Sequence, residues 1–263
     1  MILQDKVAVI YGAGGAIGGA IARAFAAEGA RVHVTGHRRD AVDAVQKDIE
    51  AGGGYALAAQ VDALDPEQIS GHLESVLGAD GRLDVSFNAV GLADRGILGT
   101  PLAELDVERF ELPIAAYTRS YFLTAQSAAR HMIPQGSGVI MTVSALPAKM
   151  GSRLNGGYGP ANAAKEALTR DLSMELAPRG IRVLALRPHG LPETSTMREV
   201  VDAKDEASGV TWEQFTGYLA SSTHPLRLMR LEELANAAVF AASDRASALT
   251  GTTVNLSMGT IAE

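Results

Sequence analysis

The segment with the clearest chemical meaning is a glycine-rich turn at residues 11–18. It reads Tyr-Gly-Ala-Gly-Gly-Ala-Ile-Gly and joins a short apolar stretch to an Ala-rich one. Glycines there let the backbone turn sharply and approach a pyrophosphate, whose charge the first amides and the dipole of a following helix stabilise. The pattern predicts a dinucleotide site whose contacts come from Gly12, Gly14, Gly15, Ile17 and Gly18.

The residues at the end of the second predicted strand help to distinguish an NAD(H) site from an NADP(H) site. An acidic residue there would bind the ribose 2′-hydroxyl of NAD, but the chain has Gly36 followed by His37, Arg38 and Arg39. Cations at this place can neutralise a 2′-phosphate, so the sequence favours NADP(H) over NAD(H). The alternative is that Arg38 and Arg39 are solvated residues at the start of the next helix.

The elements that position this turn alternate along the whole chain. Short β-branched runs predict strands at 7–11, 31–35, 55–61, 85–88, 139–143, 181–186 and 253–256. Ala-rich stretches between them predict helices at 16–27, 40–51, 66–77, 107–132, 161–176 and 231–242. Strict alternation implies parallel pairing through right-handed crossovers, hence a Rossmann-type, doubly wound α/β fold with a mostly parallel, seven-stranded sheet between two layers of helices.

One segment, 189–226, breaks this rhythm. It contains no strand pattern, and Gly209, Gly217 and Pro225 are expected to interrupt its helical pattern. A long insertion before the last helix and strand is often a binding segment, so we expect a substrate-side lid. The alternative is a surface excursion without a role. No repeat or linker divides the chain, which predicts a single dinucleotide-binding domain over 1–263.

Composition limits the classes of function. The net charge of −7 argues against nucleic acid or an anionic membrane as partner. The partner that we expect is a small-molecule substrate. The absence of cysteine excludes disulfides, thiol nucleophiles and thiolate metal sites, and no spacing of His, Asp and Glu indicates a metal site. We find neither a secretory signal nor an apolar run of about 18 residues, so the expected location is the cytoplasm.

Several ordered segments resemble the short-chain dehydrogenase/reductase family over nearly the whole chain. Besides the glycine turn, these are Val61-Asp62-Ala63, Phe87-Asn88-Ala89-Val90-Gly91, the loop from Arg187 to Thr194, and Thr250-Gly251. The resemblance implies that cofactor contacts come from Asp62, Ala63, Asn88, Ala89, Gly91, Pro188, Gly190, Leu191 and Thr194. Four residues depart from the family's usual pattern, namely Tyr11, Ala16, Ala89 and His189.

The family's catalytic Tyr and Lys are only partly matched. Tyr158 fits the tyrosine that exchanges a proton with substrate, but Asn162 stands four residues later where the lysine is expected. Lys165 lies seven residues after Tyr158. If the helix includes the tyrosine, residues 158, 162 and 165 share one face, and a lysine leaning toward the N-terminus can partly replace the missing one. The alternative is that Lys165 faces solvent or a neighbouring subunit.

The family's Ser and Asn positions are also altered. Ala145 stands where the resemblance implies a serine, and its neighbour Ser144 can serve only if the strand ends early or a bulge shifts the register. Tyr117 stands at the asparagine position, with Pro113 expected to kink the helix before it. Its hydroxyl could bind substrate or water, or the ring could simply pack.

Together these features favour an NADP(H)-dependent oxidoreductase that reduces a small or medium apolar carbonyl or an activated C=C bond. Tyr158 would act as proton donor or oxyanion stabiliser. Non-redox chemistry on the same fold and a non-catalytic dinucleotide-binding protein remain alternatives. The resemblance also implies a homotetramer or homodimer.

Further side chains are candidates at the substrate end. His189 could transfer protons, or it could be structural. The other polar candidates near the expected substrate mouth are Lys149, Ser152 and Arg153. An apolar pocket could be lined by Leu146, Met150, Leu191, Met197, Trp212, Phe215 and Tyr218.

Overall fold

The sheet is the frame of the molecule in the computed structural model, which describes residues 1–92 and 97–262. Its strands are β1 (Val7–Tyr11), β2 (Arg31–Gly36), β3 (Tyr55–Gln60), β4 (Val85–Asn88), β5 (Gly138–Val143), β6 (Ile181–Pro188) and β7 (Thr252–Leu256). All neighbouring pairs are parallel, in the order β3-β2-β1-β4-β5-β6-β7. The order reverses beside β1, which is where such sheets open a crevice for ligands. The predicted fold class is confirmed.

Two layers of helices cover the sheet. The helices are α1 (Ala16–Ala27), α2 (Arg39–Ala51), α3 (Pro66–Asp80), α4 (Val107–Gln135), α5 (Tyr158–Leu176), α6 (Ser195–Ser208), α7 (Trp212–Ser221) and α8 (Leu231–Ala242). Helices α1, α2 and α8 pack on one face, and α3, α4 and α5 pack on the other. Strand β1 serves both, because Ala8 and Ile10 point into the first core and Val7 and Val9 into the second. Both faces are therefore buried, as the near-continuous apolar strands predict.

Helix α5 begins three residues earlier than its sequence pattern predicts. Tyr158 forms its first residue, and the carbonyl of Gly157 accepts the amide of Ala161 at 2.9 Å. A Cβ on Gly157 would collide with the carbonyl of Phe110 in α4, so only glycine lets the start of α5 lie this close to α4. The tyrosine is thus inside the helix, which is the condition for residues 158, 162 and 165 to share a face.

The segment 189–226 folds as the two helices α6 and α7. Gly209 separates them with φ +66°, and Pro225 follows the end of α7. The expectation that Gly217 breaks the helical pattern is wrong, since this residue lies inside α7. An exposed glycine such as Gly217 destabilises a helix by roughly 1 kcal/mol relative to alanine. A capping box between Thr211 and Gln214 stabilises the N-terminus of α7 and offsets that loss.

Helix α4 continues through Pro113, which removes one donor from its backbone ladder. Across residues 1–92 and 97–262, none of the helices combines the length and apolar character that crossing a bilayer requires.

Candidate active site

A large cleft runs along the carboxyl ends of the strands. Its volume is about 1460 Å³, larger than the roughly 300–1,000 Å³ typical of one small-molecule site, so it has room for a dinucleotide and a second molecule. Its lining includes residues that immediately follow six of the strands, namely Gly12, His37, Val61, Ala89, Ser144 and His189. The cleft therefore joins the predicted cofactor residues to the predicted catalytic ones.

The glycine turn forms one end of this cleft. Gly12 has φ +77°, and a Cβ placed on it would stand 2.6 Å from the carbonyl oxygen of Ala89. A Cβ on Gly18 would collide with the carbonyl of Gly12, so α1 can start close to the turn only with glycine there. The turn is tied to the second strand because Ala13 donates its amide to the carbonyl of Thr35 at 2.9 Å. These contacts leave a backbone cradle at a helix N-terminus, which fits a pyrophosphate.

The next part of the cleft lies at the ends of β2 and β3. His37 and Arg38 are exposed and line it, whereas Arg39 points away and pairs with Asp43 at 2.8 Å. Two of the three basic residues beside Gly36 thus face the space where a ribose would lie. Asp62 and Ala63 also line the cleft.

Asn88 is the predicted cofactor residue that does not line the cleft. Its side chain is buried, and its amide nitrogen donates to the hydroxyl of Thr124 in α4 at 3.1 Å. Its amide oxygen accepts the backbone amide of Val90 at 3.3 Å. Asn88 therefore shapes the loop that carries Ala89 and Gly91, and these two residues line the cleft themselves.

The loop after β6 closes the opposite side. Pro188, Gly190, Leu191 and Thr194 all line the cleft, and the Thr194 hydroxyl donates to the carbonyl of Leu191 at 2.8 Å. This bond holds the loop in a turn just before α6 begins.

His189 lies in the same loop but is buried. Its Nε2 is 3.3 Å from the hydroxyl of Ser222, which follows α7. Burial lowers the pKa of His189, and a backbone hydrogen bond with Gly190 opposes that shift. The His189 imidazole thus connects the loop to the residue that follows α7.

Two tyrosines face each other at the substrate end of the cleft. Tyr158 in α5 and Tyr117 in α4 meet edge to face, with ring centroids 6.0 Å apart and planes at 76°. The hydroxyl of Tyr117 accepts the backbone amide of Leu92 at 3.2 Å. Both rings line the cleft, Tyr117 buried and Tyr158 half-buried. The structure thus places a second phenol beside the predicted catalytic one.

Lys165 points into the protein from the same face of α5. It is only 2% exposed, and its Nζ donates to the carbonyl of Val143 at the end of β5, at 2.5 Å. The same nitrogen lies 5.6 Å from the centroid of the Tyr117 ring. Burial lowers the pKa of Lys165 to about 7, an effect that the neighbouring Glu166 carboxylate partly opposes. The alternative of a solvent-facing lysine is therefore wrong.

Asn162, which stands at the family's lysine position, does not act in its place. Its amide nitrogen donates to the carbonyl of Tyr158 at 2.9 Å, one turn earlier in the same helix. The side chain also lines the cleft, so it contributes surface but no charge there.

Ser144 reaches the cleft because β5 ends at Val143, which is the early strand end that its role requires. Its hydroxyl, however, donates to Oε1 of Glu166 at 2.7 Å. The two oxygens of Glu166 also accept Nε and Nη2 of Arg187, each at 2.7 Å. All three side chains are at most 4% exposed. This buried ion pair under the active site is the main feature that sequence reasoning missed; its only signal is a charged residue at the end of a strand that is otherwise largely apolar.

The remaining walls are largely apolar. The predicted residues that line the cleft are Leu146, Met150, Leu191, Met197, Phe215 and Tyr218. Trp212 is not among the lining residues, and its ring lies 4.5 Å from the guanidinium carbon of Arg198. Ser152 and Arg153 line the substrate side, and Lys149 does not. Among the described residues no three His, Asp or Glu side chains are placed to hold a metal ion.

Comparison with known proteins gives consistent matches over the length of the chain. The family model described as Enoyl-(Acyl carrier protein) reductase matches residues 12–260. The chain is 32% identical over 247 residues to cis-4-hydroxycyclohexanecarboxylate dehydrogenase of Sinomonas cyclohexanicum, a match that covers 94% of this chain and 93% of that one.

Solved structures are similar as well. A short-chain type dehydrogenase/reductase from Mycobacterium marinum superposes with a TM-score of 0.84 at 27% identity, covering 99% of this chain and 97% of the other. A 7α-hydroxysteroid dehydrogenase complexed with NADH and 7-oxo glycochenodeoxycholic acid superposes with a TM-score of 0.86 at 27% identity, covering 99% and 96%.

Proposed function

The chain belongs to the short-chain dehydrogenase/reductase family and is an NAD(P)-dependent oxidoreductase, and from that premise we propose the reaction it performs. We propose that it uses NADP(H) to interconvert a carbonyl and an alcohol on an apolar substrate of small or medium size. The observation that carries the proposal is that the glycine cradle and the Tyr117–Tyr158 pair line one continuous cleft. The named relatives that act on hydroxylated rings support a carbonyl or alcohol as the reacting group.

The chain's own residues fit the cofactor. The glycine turn and the N-terminus of α1 would hold the pyrophosphate, and His37 with Arg38 would bind a 2′-phosphate. The similar solved hydroxysteroid dehydrogenase contains NADH, so the choice of the phosphorylated form depends on this chain's Gly36-His37-Arg38. When bound, NADPH supplies the hydride that reduces the carbonyl carbon, and it is thereby oxidised to NADP⁺.

Tyr158 supplies the proton. In the reducing direction its hydroxyl gives a proton to the carbonyl oxygen, so the C=O double bond becomes a C–O single bond with a new C–H and a new O–H. The resulting phenolate regains its proton from water. In the oxidising direction the phenolate accepts the alcohol proton. Tyr117 is polarised by the amide of Leu92, which makes its hydroxyl a stronger donor to the same oxygen.

We assign oxygen binding to the two tyrosines and not to Ser144, because the serine hydroxyl already donates to Glu166. Lys165 supports the two tyrosines from the interior of the protein. It fixes the end of β5 through the carbonyl of Val143, and in its charged form it adds positive potential beside Tyr117. This potential stabilises a phenolate, which is what the family's lysine would otherwise do.

The substrate enters under segment 189–226, which we propose to be a lid. Met197 from α6 and Phe215 from α7 contribute apolar surface to the lining of the cleft. Apolar walls with few polar groups select a hydrophobic carbon skeleton.

We also propose that the protein forms a homodimer or homotetramer. Exposed apolar side chains on the two long helices, Phe122 at 42% and Met174 at 82%, are suited to a contact between copies. Light scattering coupled to size-exclusion chromatography tests this, and a monomer at all concentrations would contradict it.

The reaction is tested with the purified full chain. Calorimetric titration with NADPH and NADH comes first, and we expect the tighter binding for NADPH. Turnover of cyclohex-2-enone with NADPH then separates the two reductions, because carbonyl reduction gives cyclohex-2-enol and C=C reduction gives cyclohexanone. Failure to bind either dinucleotide overturns the proposal. Conversion without a change in nicotinamide absorbance would instead indicate non-redox chemistry.

A further inference from the structure

Among the described residues that line the cleft, Asn155 and His189 each have one buried side-chain atom without a hydrogen-bond partner, Oδ1 and Nδ1 respectively, and Asn155 is the one beside the start of α5. It lies in the loop between β5 and α5, and its backbone carbonyl accepts the amide of Tyr158 at 3.0 Å. The side chain lines the cleft, is only 9% exposed, and its Oδ1 is fully buried. Within residues 1–92 and 97–262 this oxygen accepts no hydrogen bond.

An unsatisfied buried amide is unfavourable for folding. Leaving such a group without a partner costs roughly 1–3 kcal/mol, and most buried polar side chains are hydrogen-bonded. Because the backbone of Asn155 already secures the start of α5, the side-chain amide is not needed to hold the loop. An unsatisfied polar group beside a reactive side chain is expected where a bound ligand supplies the missing hydrogen bond.

The position of Asn155 relative to Tyr158 limits where that ligand group lies. A carbonyl-to-amide bond between residues i and i+3 brings their Cα atoms within about 7 Å. Both side chains line the cleft, so the Asn155 amide lies close to the Tyr158 phenol within it.

The unpaired atom also limits the chemistry. Oδ1 requires a donor, and the same amide can donate in return from its nitrogen, a pairing that a hydroxyl group satisfies. An ammonium donor is disfavoured because Arg153 and Lys165 line the same region of the cleft. A neutral hydroxyl is the group that fits.

We infer that Asn155 is a specificity-determining residue whose side-chain amide binds a second hydroxyl of the substrate, one or two carbons from the carbon that reacts at Tyr158. The substrate class is thus an apolar ring or chain that carries a 1,2- or 1,3-diol, or the corresponding hydroxyketone. This inference rests on the proposed oxidoreductase function and names the substrate class of the same site.

The test compares four alcohols as substrates with NADP⁺. They are cyclohexanol, cis-cyclohexane-1,2-diol, cis-cyclohexane-1,3-diol and cis-cyclohexane-1,4-diol, and the quantity measured is kcat/KM for each. One additional hydrogen bond of about 1.4 kcal/mol corresponds to a tenfold preference. We expect the 1,2- or the 1,3-diol to exceed cyclohexanol by about that factor, and the 1,4-diol to gain nothing.

Two variants of the same residue separate recognition from structure. Asn155→Leu, similar in volume and apolar, should reduce the preference to near one while the melting temperature stays level or rises, because the unsatisfied amide is gone. Asn155→Asp keeps an acceptor and should retain the preference.

Gln214→Leu is the matched control. Gln214 is a second amide that lines the cleft, but its Oε1 already accepts the amide of Thr211 at 3.0 Å. This control should keep the diol preference.

The outcomes distinguish the two levels of the proposal. Turnover of none of the four alcohols would refute the oxidoreductase proposal on which the inference rests. Equal turnover of cyclohexanol and the diols, or a diol preference that survives Asn155→Leu, overturns the inference alone. If Asn155→Leu lowers the melting temperature but does not change the diol preference, Asn155 has a structural role and the inference is overturned.

Discussion

The two ends of the cleft are built by different means. At the cofactor end, the turn around Gly12 and Gly18 places backbone amides and carbonyls, and the closest contacts are those that a Cβ would block. At the catalytic end, side chains carry the arrangement: Tyr117 beside Tyr158, and Lys165 on the carbonyl of Val143.

This difference explains why departures from the family's sequence pattern have different consequences at the two ends. A backbone cradle depends on small residues at a few positions, so substitutions such as Ala16 for glycine leave its shape intact. A site built from side chains depends on their charge and length. A residue at another position can supply both if it lies on the same face of the helix. Lys165 lies on that face three residues beyond the expected place, with its Nζ 5.6 Å from the centroid of the Tyr117 ring.

The largest effect is expected when the proposed catalytic phenol alone is removed. Tyr158→Phe should lower kcat/KM by about 10²–10⁴-fold, the usual contribution of a positioned acid or base. Because the dinucleotide is held at the other end of the cleft, the affinity for NADPH measured by calorimetry should stay within about twofold. Full turnover by this variant would show that Tyr158 is not the proton donor.

The buried ion pair under the catalytic end should matter for stability. Glu166→Gln leaves Arg187 with a weakened partner in a buried site, and removal of one member of such a pair costs about 3–5 kcal/mol. Chemical denaturation measures the free energy of unfolding.

Glu233→Gln is the matched control for that variant. Glu233 pairs with Arg227 at a similar distance, 2.6 Å, but both side chains are partly exposed, so the expected loss is at most about 1 kcal/mol. Equal losses for Glu166→Gln and Glu233→Gln would contradict the distinction between the two ion pairs.

Lys165 gives the catalytic end a pH-dependent stability. Below about pH 7 the buried lysine is charged, and its full desolvation penalty opposes folding. As the pH rises from about 7 toward 10.5, the folded chain releases a proton that the unfolded chain keeps, so stability rises by up to about 1.4 kcal/mol per pH unit.

Lys165→Met therefore tests this pH dependence. The stability that the variant gains over the wild type should be larger at about pH 6 than at about pH 9. Thermal unfolding at the two pH values measures the difference, and a gain that is the same at both would contradict the buried, titrating lysine.

At the cofactor end a single charge should decide between the dinucleotides. Arg38→Ala should weaken NADPH binding by about tenfold, equivalent to about 1.4 kcal/mol, and leave NADH binding nearly unchanged. Arg39→Ala is the matched control, because Arg39 pairs with Asp43 outside the cleft. Equal effects of Arg38→Ala on both dinucleotides would contradict the proposed NADP(H) preference.

The smallest effect on turnover is expected at Ser144. Its hydroxyl donates to Glu166, so Ser144→Ala should lower stability by about 1–2 kcal/mol and lower kcat/KM far less than Tyr158→Phe does, by less than about tenfold. A loss in kcat/KM as large as that of Tyr158→Phe would return the serine to the role that the family resemblance implies.

The sequence predicted the fold well because its signals are local. Alternation of β-branched and Ala-rich segments predicted the sheet, and the boundaries of β1, β4, α1 and α8 agree with the structure to the residue. Where the predicted and observed bounds differ, tertiary contacts set the observed ones. Helix α5 begins at Tyr158 because Gly156 and Gly157 pack against neighbouring backbone, and hydrophobic periodicity carries no information on such contacts.

The candidate site was only partly predictable. The glycine turn, the residues after β2 and β3, and Tyr158 have recognisable neighbours in sequence, and the structure gathers them into one cleft. Asn88 keeps its place in the pattern but turns its side chain to Thr124, since the direction of a side chain depends on what packs against it.

What the sequence by itself determined is the frame: a parallel sheet, a glycine cradle after β1 and a candidate catalytic tyrosine just before the fifth predicted helix. Only the tertiary structure decided which side chains meet at the other end of the cleft. The parallel pairing of β5 with β6 sets Val143 beside Leu186, so Ser144 and Arg187 follow side by side and meet Glu166 from α5. Glu166 is 21 positions from Arg187 and 22 from Ser144 in the chain, and strand register and helix packing bring these residues into contact. No local sequence pattern predicts that contact.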